Sequence, residues 1–231
     1  MKEYVGYLRF FYQPYQLIHY EIKSYFYNYI NLIHIIIYIM RFEDISFPCE
    51  YNENFRLRIY YDIPKLEYVV VLYLNINPNN IIPVRVHSAC LTGDIFHSLK
   101  CDCSQQLRKS LEYIARIKMG MVLYLPQEGR GIGLVNKIKA YRLQQSRGLN
   151  TFEANTYLDL PVDNREYSIC AEILNHFKVR KIELISNNPE KLRTFTQSPY
   201  ISYIKRKRLH IEPNKHSIKY MKDKTLFFAK L

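Results

Sequence analysis

From residue 55 onward, apolar and polar positions alternate and then change period as a mixed α/β domain requires. Phe55–Tyr61 and Tyr68–Ile76 are rich in β-branched and aromatic residues, and the second runs into the turn cluster Asn77-Pro78-Asn79-Asn80. With a short run at Val84–His87 they predict three strands. Between Ser104 and Met119 the spacing turns helical, with Leu107, Leu111, Ile114 and Ala115 on one face and Gly120 as the stop. Met121–Leu125 predicts a buried strand, followed by a glycine-rich turn over 127–133 and a second helix, Leu134–Ser146, closed by Gly148. A polar stretch over 150–165 precedes a third helix to about Phe177. Lys181–Ile185 is a further strand, ending at Asn187-Asn188-Pro189. The pattern predicts one domain of the α+β class, a single mixed α/β domain over 42–205.

The first 41 residues follow another pattern. Tyr25–Met40 carries no formal charge and crowds Ile33, Ile35, Ile36, Ile37 and Ile39 at one end, with Asn28, Asn31 and His34 interrupting it. Sixteen residues fall short of the roughly 20 a membrane-spanning helix needs. Arg41-Phe42-Glu43-Asp44 follows where a signal peptide would have small residues. Residues 1–41 therefore read as an atypical apolar and aromatic extension, in preference to membrane contact through 25–40. Met40 is then a candidate native start, which an N-terminal peptide from 1–39 in the native protein would refute.

Charge changes the picture only once it is divided along the chain. The formal net charge of +12 separates into +2 over 1–41, +3 over 42–200 and +7 over 201–231. The excess is a property of a basic tail, taken as 206–231, and the domain itself is nearly neutral. Five cysteines, unevenly spaced, do not make a disulfide scaffold, and a reduced cytoplasmic setting is expected.

Three of those cysteines carry the strongest local signal. Cys90 followed by Cys101-Asp102-Cys103 offers three thiolates suited to zinc, and three protein ligands leave one position open, as in catalytic sites. The start of the helix at 104 favours thiolate over thiol. His87, three residues before Cys90, is a second-choice fourth ligand, against a plain reading as a histidine at a strand end. Gln127-Glu128-Gly129-Arg130-Gly131-Ile132-Gly133 joins a strand to a helix, where backbone N–H groups bind phosphate, and Glu128 suits the donor edge of a guanine. Taken singly, Asp163 reads as a helix N-cap, Arg165 as a surface charge and Lys191 as a solvated lysine.

Taken in order, these segments resemble GTP cyclohydrolase II. Arg85-Val86-His87-Ser88-Ala89-Cys90-Leu91-Thr92-Gly93-Asp94 and Ser98-Leu99-Lys100-Cys101-Asp102-Cys103 are similar to that family's zinc segment. Gln127–Arg130, Asn136-Lys137-Ile138, Glu153-Ala154-Asn155, Asp163–Arg165 and Ser186–Pro189 follow in the family's order over roughly 45–200. Ala89 stands where many relatives have Glu, and residues 1–41 match nothing in the family.

The resemblance implies an enzyme that opens the imidazole ring of GTP. Formate and pyrophosphate leave, giving 2,5-diamino-6-(5-phosphoribosylamino)pyrimidin-4-one, in the first step of riboflavin biosynthesis. It implies one Zn2+ per subunit on Cys90, Cys101 and Cys103, Mg2+ with the triphosphate, and a homodimer. Arg85, Val86, His87, Ser88, Ala89, Gln106, Glu128, Gly129, Arg130, Thr151, Ser186 and Lys191 would line the GTP site, and Tyr141 matches a site tyrosine. Asp163 would accept a proton, and Arg165 is the family's proposed nucleophile. A guanidinium stays protonated, so Arg165 is better read as a charge clamp on phosphate. The alternatives are a relative acting on another nucleotide, or inactive, and a zinc-containing RNA-binding module. The tyrosines are not interleaved with Lys and Arg, so no nucleic-acid partner is expected.

Overall fold

A computed structural model describes residues 40–63, 66–218 and 222. The N-terminal extension up to residue 39, with most of the apolar run, and the end of the basic tail lie outside the described residues.

Among the described residues seven strands form one sheet in the order β1-β2-β3-β5-β4-β6-β7. These are β1 (Arg41–Ser46), β2 (Arg56–Ile63), β3 (Leu66–Leu74), β4 (Ile82–Ser88), β5 (Gly120–Leu125), β6 (Lys181–Ile185) and β7 (Tyr203–Lys207). The sheet has two halves. β1, β2, β3 and β5 pair antiparallel, while β5, β4, β6 and β7 are parallel neighbours. Parallel pairing needs long crossovers, and these carry the helices. They are α1 (Leu91–Asp94), α2 (Cys103–Ile117), α3 (Leu134–Arg147), α4 (Thr151–Tyr157), α5 (Ser168–His176) and α6 (Pro189–Thr196). No helix among the described residues is long and apolar enough to cross a membrane.

The expected amphipathic helix is α2. It lays Leu111 and Ile114 against Phe55, Leu74, Val122 and Ile185 in a buried cluster, with Leu107 and Ala115 beside it. Gly120 is not its stop. The helix ends through Lys118, which takes the left-handed conformation itself (φ 56°). Gly120 opens β5 with φ 139°, and a Cβ there would lie 2.8 Å from the Pro83 carbonyl oxygen. Glycine at that point lets two parallel strands approach.

Five of these elements were not expected from the pattern, the first being α1, a single turn closed by the Asp94 N–H donating to the Cys90 carbonyl at 2.7 Å. β1 is held by charge, since Asp44 accepts from Arg56 and Arg58 on β2 (each at 2.6 Å) and from the Tyr73 hydroxyl on β3 at 2.7 Å. α4 occupies part of the polar stretch, started by a reciprocal capping box between Asn150 and Glu153. α6 starts at Pro189, with Asn188 as its cap. β7 takes in Arg206 and Lys207, and Leu209 and Ile211 beyond it are buried. β1 thus begins at Arg41, and ordered, partly buried chain continues beyond 205 through Leu209 and Ile211.

Candidate active site

Residues of interest gather where β4, β5 and β6 end. Segments 88–94, 127–133 and 186–191 leave the carboxyl ends of those parallel strands, the edge at which open α/β sheets bind ligands.

Cys90 caps α1, and its backbone N–H donates to Asp94 at 3.0 Å, which fixes the turn. Cys103 begins α2 and Cys101 lies just before it, so two short loops bring three sulfurs within 4.8 Å of one another. Cys90 and Cys101 sulfurs stand 3.8 Å apart. Tetrahedral zinc with Zn–S bonds of about 2.3 Å requires sulfurs about 3.8 Å apart, a spacing that Cys90 and Cys101 match, and three thiols suit a soft ion of this kind. Gly93 backs the triad, since a Cβ on it would meet the Cys101 sulfur at 3.0 Å and the Cys90 sulfur at 3.1 Å.

The three sulfurs share protons unequally. Hydrogen bonds from the Cys101 and Cys103 thiols hold Cys90 far below the ordinary thiol range, against a burial that pushes the other way, and Lys137 adds to the lowering. Cys101 feels a lowering hydrogen bond with Cys103, but its bond to Cys90 and its burial prevail and take it up to about 11. Bonds to Cys101 and Cys90, with burial, push Cys103 up as well. Cys90, the cysteine with two thiols and an ammonium pointed at it, is thus the sulfur most favoured toward thiolate, where the helix-start argument pointed to the cysteines beside α2.

His87 is no fourth ligand. It is 1% exposed, its Nε2 lies 3.1 Å from Asp94, and its Nδ1 lies 3.3 Å from a guanidinium nitrogen of Arg85. The ring stacks on Tyr124, and burial lowers its pKa, keeping it neutral. Among the described residues only the three cysteines form a metal-capable group.

Arg85 lies wholly inside the sheet, and desolvation brings its pKa down to about 10. Its guanidinium donates to Gln106 at 2.6 Å and to the Ile185 carbonyl at 3.2 Å, and Gln106 in turn donates to Asp102. Asp102 is the N-cap residue of α2, yet its carboxylate serves this buried chain and not the helix end. Lys191 is no solvated lysine. It is 5% exposed, donates to the Val86 carbonyl at 2.8 Å and lies 5.1 Å from the centre of the Tyr167 ring. Val86 enters the site through that carbonyl. Ser186 is buried and accepts from the Asn188 N–H.

The loop after β5 is a short 3-10 turn, Glu128–Gly131, in which Gly129, Arg130 and Gly131 all take positive φ. Glu128 is tied inward, accepting from the Leu91 N–H at 2.6 Å, the Gly129 N–H at 3.0 Å and the Lys137 ammonium at 2.8 Å. Arg130 lies over the Phe152 ring, and Gln127 donates to the Glu166 carbonyl. Opposite, Arg165 grips Asp163 through two side-chain nitrogens and its own backbone N–H. Burial raises the Asp163 pKa, but these bonds outweigh it and hold the carboxyl below its ordinary range. Asp163 caps no helix, since α5 begins only at Ser168.

Two small cavities open among these groups. One, of about 100 Å³, is lined by the three cysteines, Ala89, Glu128, Gly129, Lys137, Tyr141 and Thr151. The other, of about 80 Å³, is lined by Arg85, His87, Asp102, Gln106, Ser186 and Lys191. Ser88, Cys103, Arg130 and Arg165 border both. A third, wider cleft of about 810 Å³ begins at Asp163 and Arg165, and Arg165 is the side chain common to all three. Each residue proposed from sequence except Val86 lines one of these three cavities, Asp163 only the wide one. Lys137, Asp94, Asp102 and Gln127 were missed as parts of the site; each lies in or beside a quoted segment, but only the fold turns it inward.

The model of the GTP cyclohydrolase II family matches residues 41–198. A GTP cyclohydrolase-2 of Picrophilus torridus is 41% identical over 171 residues, 74% of this chain and 88% of that protein. One from Acinetobacter baylyi is 47% identical over 151 residues, 65% of this chain and 74% of the relative. A riboflavin biosynthesis protein RibBA of Endomicrobium trichonymphae is 42% identical over 188 residues, 81% of this chain but 46% of that longer protein.

Proposed function

This chain belongs to the GTP cyclohydrolase II family, and from that premise we propose that it hydrolyses GTP to formate, pyrophosphate and the diaminopyrimidine ribosyl phosphate that enters riboflavin synthesis. The observation that carries the reading is the cysteine triad at the strand ends, spaced for zinc and sharing a cavity wall with Arg130 and Arg165.

Cys90, Cys101 and Cys103 are the residues to hold zinc, which when bound supplies water activated for attack near neutral pH, the chemistry that opening C8 of a purine needs. The base is assigned to the cavity beside the triad, with Glu128, Gly129, Tyr141 and Thr151. Ala89 commits its N–H to the Leu125 carbonyl at 2.8 Å, so it offers substrate only its own carbonyl. Arg85, Arg130, Arg165 and Lys191, with Mg2+, neutralise the triphosphate. Asp163, kept ionised by Arg165, is the proton acceptor. Arg165 binds that carboxylate in a fork, as a charged guanidinium does, which supports a clamp over a nucleophile. A phosphoamidate trapped on Arg165 would overturn that assignment. A homodimer in the cytoplasm completes the proposal.

The deciding experiment incubates the purified chain with GTP, Mg2+ and Zn2+ and assays formate, pyrophosphate and the diaminopyrimidine. Turnover is expected, and Cys101→Ser should abolish it together with bound zinc. Full activity in that variant would sink the zinc mechanism.

A further inference from the structure

We propose that Lys137 is a positioning residue that sets how tightly the cysteine triad holds its metal, while fixing Glu128 beside it; this rests on the zinc and GTP reading above. Lys137 stands in the first turn of α3, where a lysine ordinarily reaches solvent, yet it is 8% exposed. Its ammonium has three N–H groups, and all three are used. It donates to the Cys90 sulfur at 3.1 Å, to the Thr92 hydroxyl at 2.8 Å and to Glu128 Oε1 at 2.8 Å. One side chain therefore ties α3 to the loop after β4 and to the loop after β5.

The electrostatics give the contact its purpose. Three thiolates around a dication leave one net negative charge, and the ammonium places the compensating positive charge on one of the ligand sulfurs. A hydrogen bond to a ligating thiolate orients it and stabilises its ionised form, and losing such a partner typically costs about 10–100-fold in metal affinity. The second contact acts on the base cavity. Glu128 already accepts from two backbone N–H groups, and Lys137 adds the single side-chain anchor that holds the carboxylate against the metal loop.

A buried Lys–Glu pair can also be mere scaffolding, so the test reads the sulfur directly. Wild type, Lys137→Met and Lys137→Arg are compared as full-length protein. Zinc affinity is measured by chelator competition, and the sulfur-to-cobalt charge-transfer band is recorded after cobalt substitution. Lys137→Met is expected to bind zinc about 10–100-fold more weakly. Its band should shift to lower energy as the N–H···S bond is lost, and Lys137→Arg should recover most of both effects. A folded Lys137→Met with wild-type zinc affinity and an unmoved band overturns the inference. If that variant does not fold, the double variant Glu128→Gln with Lys137→Met, which leaves no unpaired charge, is read by the same two criteria. Wild type that binds no zinc overturns the reading beneath, and this inference with it. Wild type that binds zinc and releases formate, beside a Lys137→Met indistinguishable from it, overturns this inference alone.

Discussion

The backbone N–H of Asn164 donates to the carbonyl of Arg130 at 2.9 Å, joining the loop after β5 to the loop that carries Asp163 and Arg165. The approach is close because the next residue is Gly131, at φ 87°, where a Cβ would lie 2.8 Å from the Asn164 carbonyl oxygen. Gly131→Ala meets both a strained conformation and a backbone clash. It is expected to cost about 1–3 kcal/mol, read as a lower urea midpoint, and to lower kcat/KM by parting Arg130 from Arg165. An unchanged midpoint would mean that the loops do not depend on this contact.

Gly93→Ala strikes the triad from behind. Its new methyl meets two sulfurs and the Cys103 Cβ at 3.0–3.1 Å, so neighbours must give by a few tenths of an ångström. Metal sites keep their distances within about 0.2 Å, so zinc retained through dialysis should fall about tenfold or more. The melting curve of the metal-free variant should change much less. Full zinc retention measured by atomic emission would count against the packing argument.

Asp163 makes a prediction about pH. Its folded pKa is depressed, on balance, by the Arg165 bonds. The stabilisation is thus fully present above the unfolded value of about 3.9 and is lost as pH falls through the folded value. Wild type should lose stability below about pH 4, and Asp163→Asn should lose less over the same interval. Parallel acid limbs in the two urea titrations would show that the ion pair is not what titrates. Asp163 also stays ionised at neutral pH, so the Asn variant should lower kcat far more than it raises KM.

The cysteines outside the triad separate by access. Cys170 is fully buried and pushed up to about 12 by desolvation, partly opposed by Lys191, while Cys49 is half-buried near the start of the domain. At pH 8 in zinc-loaded protein, iodoacetamide should label Cys49 and leave Cys170 untouched until denaturant is added. Peptide mapping that finds Cys170 modified first would contradict its burial.

How much of this was legible depended on where each element gets its stability. β2, β3, β5, β6 and α2 announce themselves because they are held by apolar faces, which leave a period in the sequence, whereas α3 buries Lys137 and Ala140 and is marked by Gly133 and Gly148 at its ends. β1 is tied to β2 by Asp44 and Arg56, and β7 to β6 by Lys205 and Glu183 and to α2 by Lys207 over Tyr113, contacts that read along the chain as unconnected charge. α4 depends on two side chains, Asn150 and Glu153, and α6 on Asn188 ahead of a proline that one-dimensional reading takes for a breaker. In the site, the cysteine spacing was legible because ligation needs particular residues at particular intervals. His87 misled because its true partner, Asp94, lies across a turn that only the folded α1 closes. Lys137 was invisible as a buried group, since Lys139 two residues on has the same chemistry and stays exposed.

β7 ends the described sheet, and its lysines lie over partners within the fold. Lys205 is 3.3 Å from Glu183, and the Lys207 ammonium is 4.2 Å from the centre of the Tyr113 ring. An outermost strand presents a row of unpaired backbone groups, an invitation for another chain to add itself. The basic run at Lys205-Arg206-Lys207-Arg208 makes that margin self-repelling, because a second copy in edge-to-edge register would set cation against cation. Charge that reads along the sequence as a basic tail thus lies in part on an outer strand, where it opposes edge-to-edge addition of another copy.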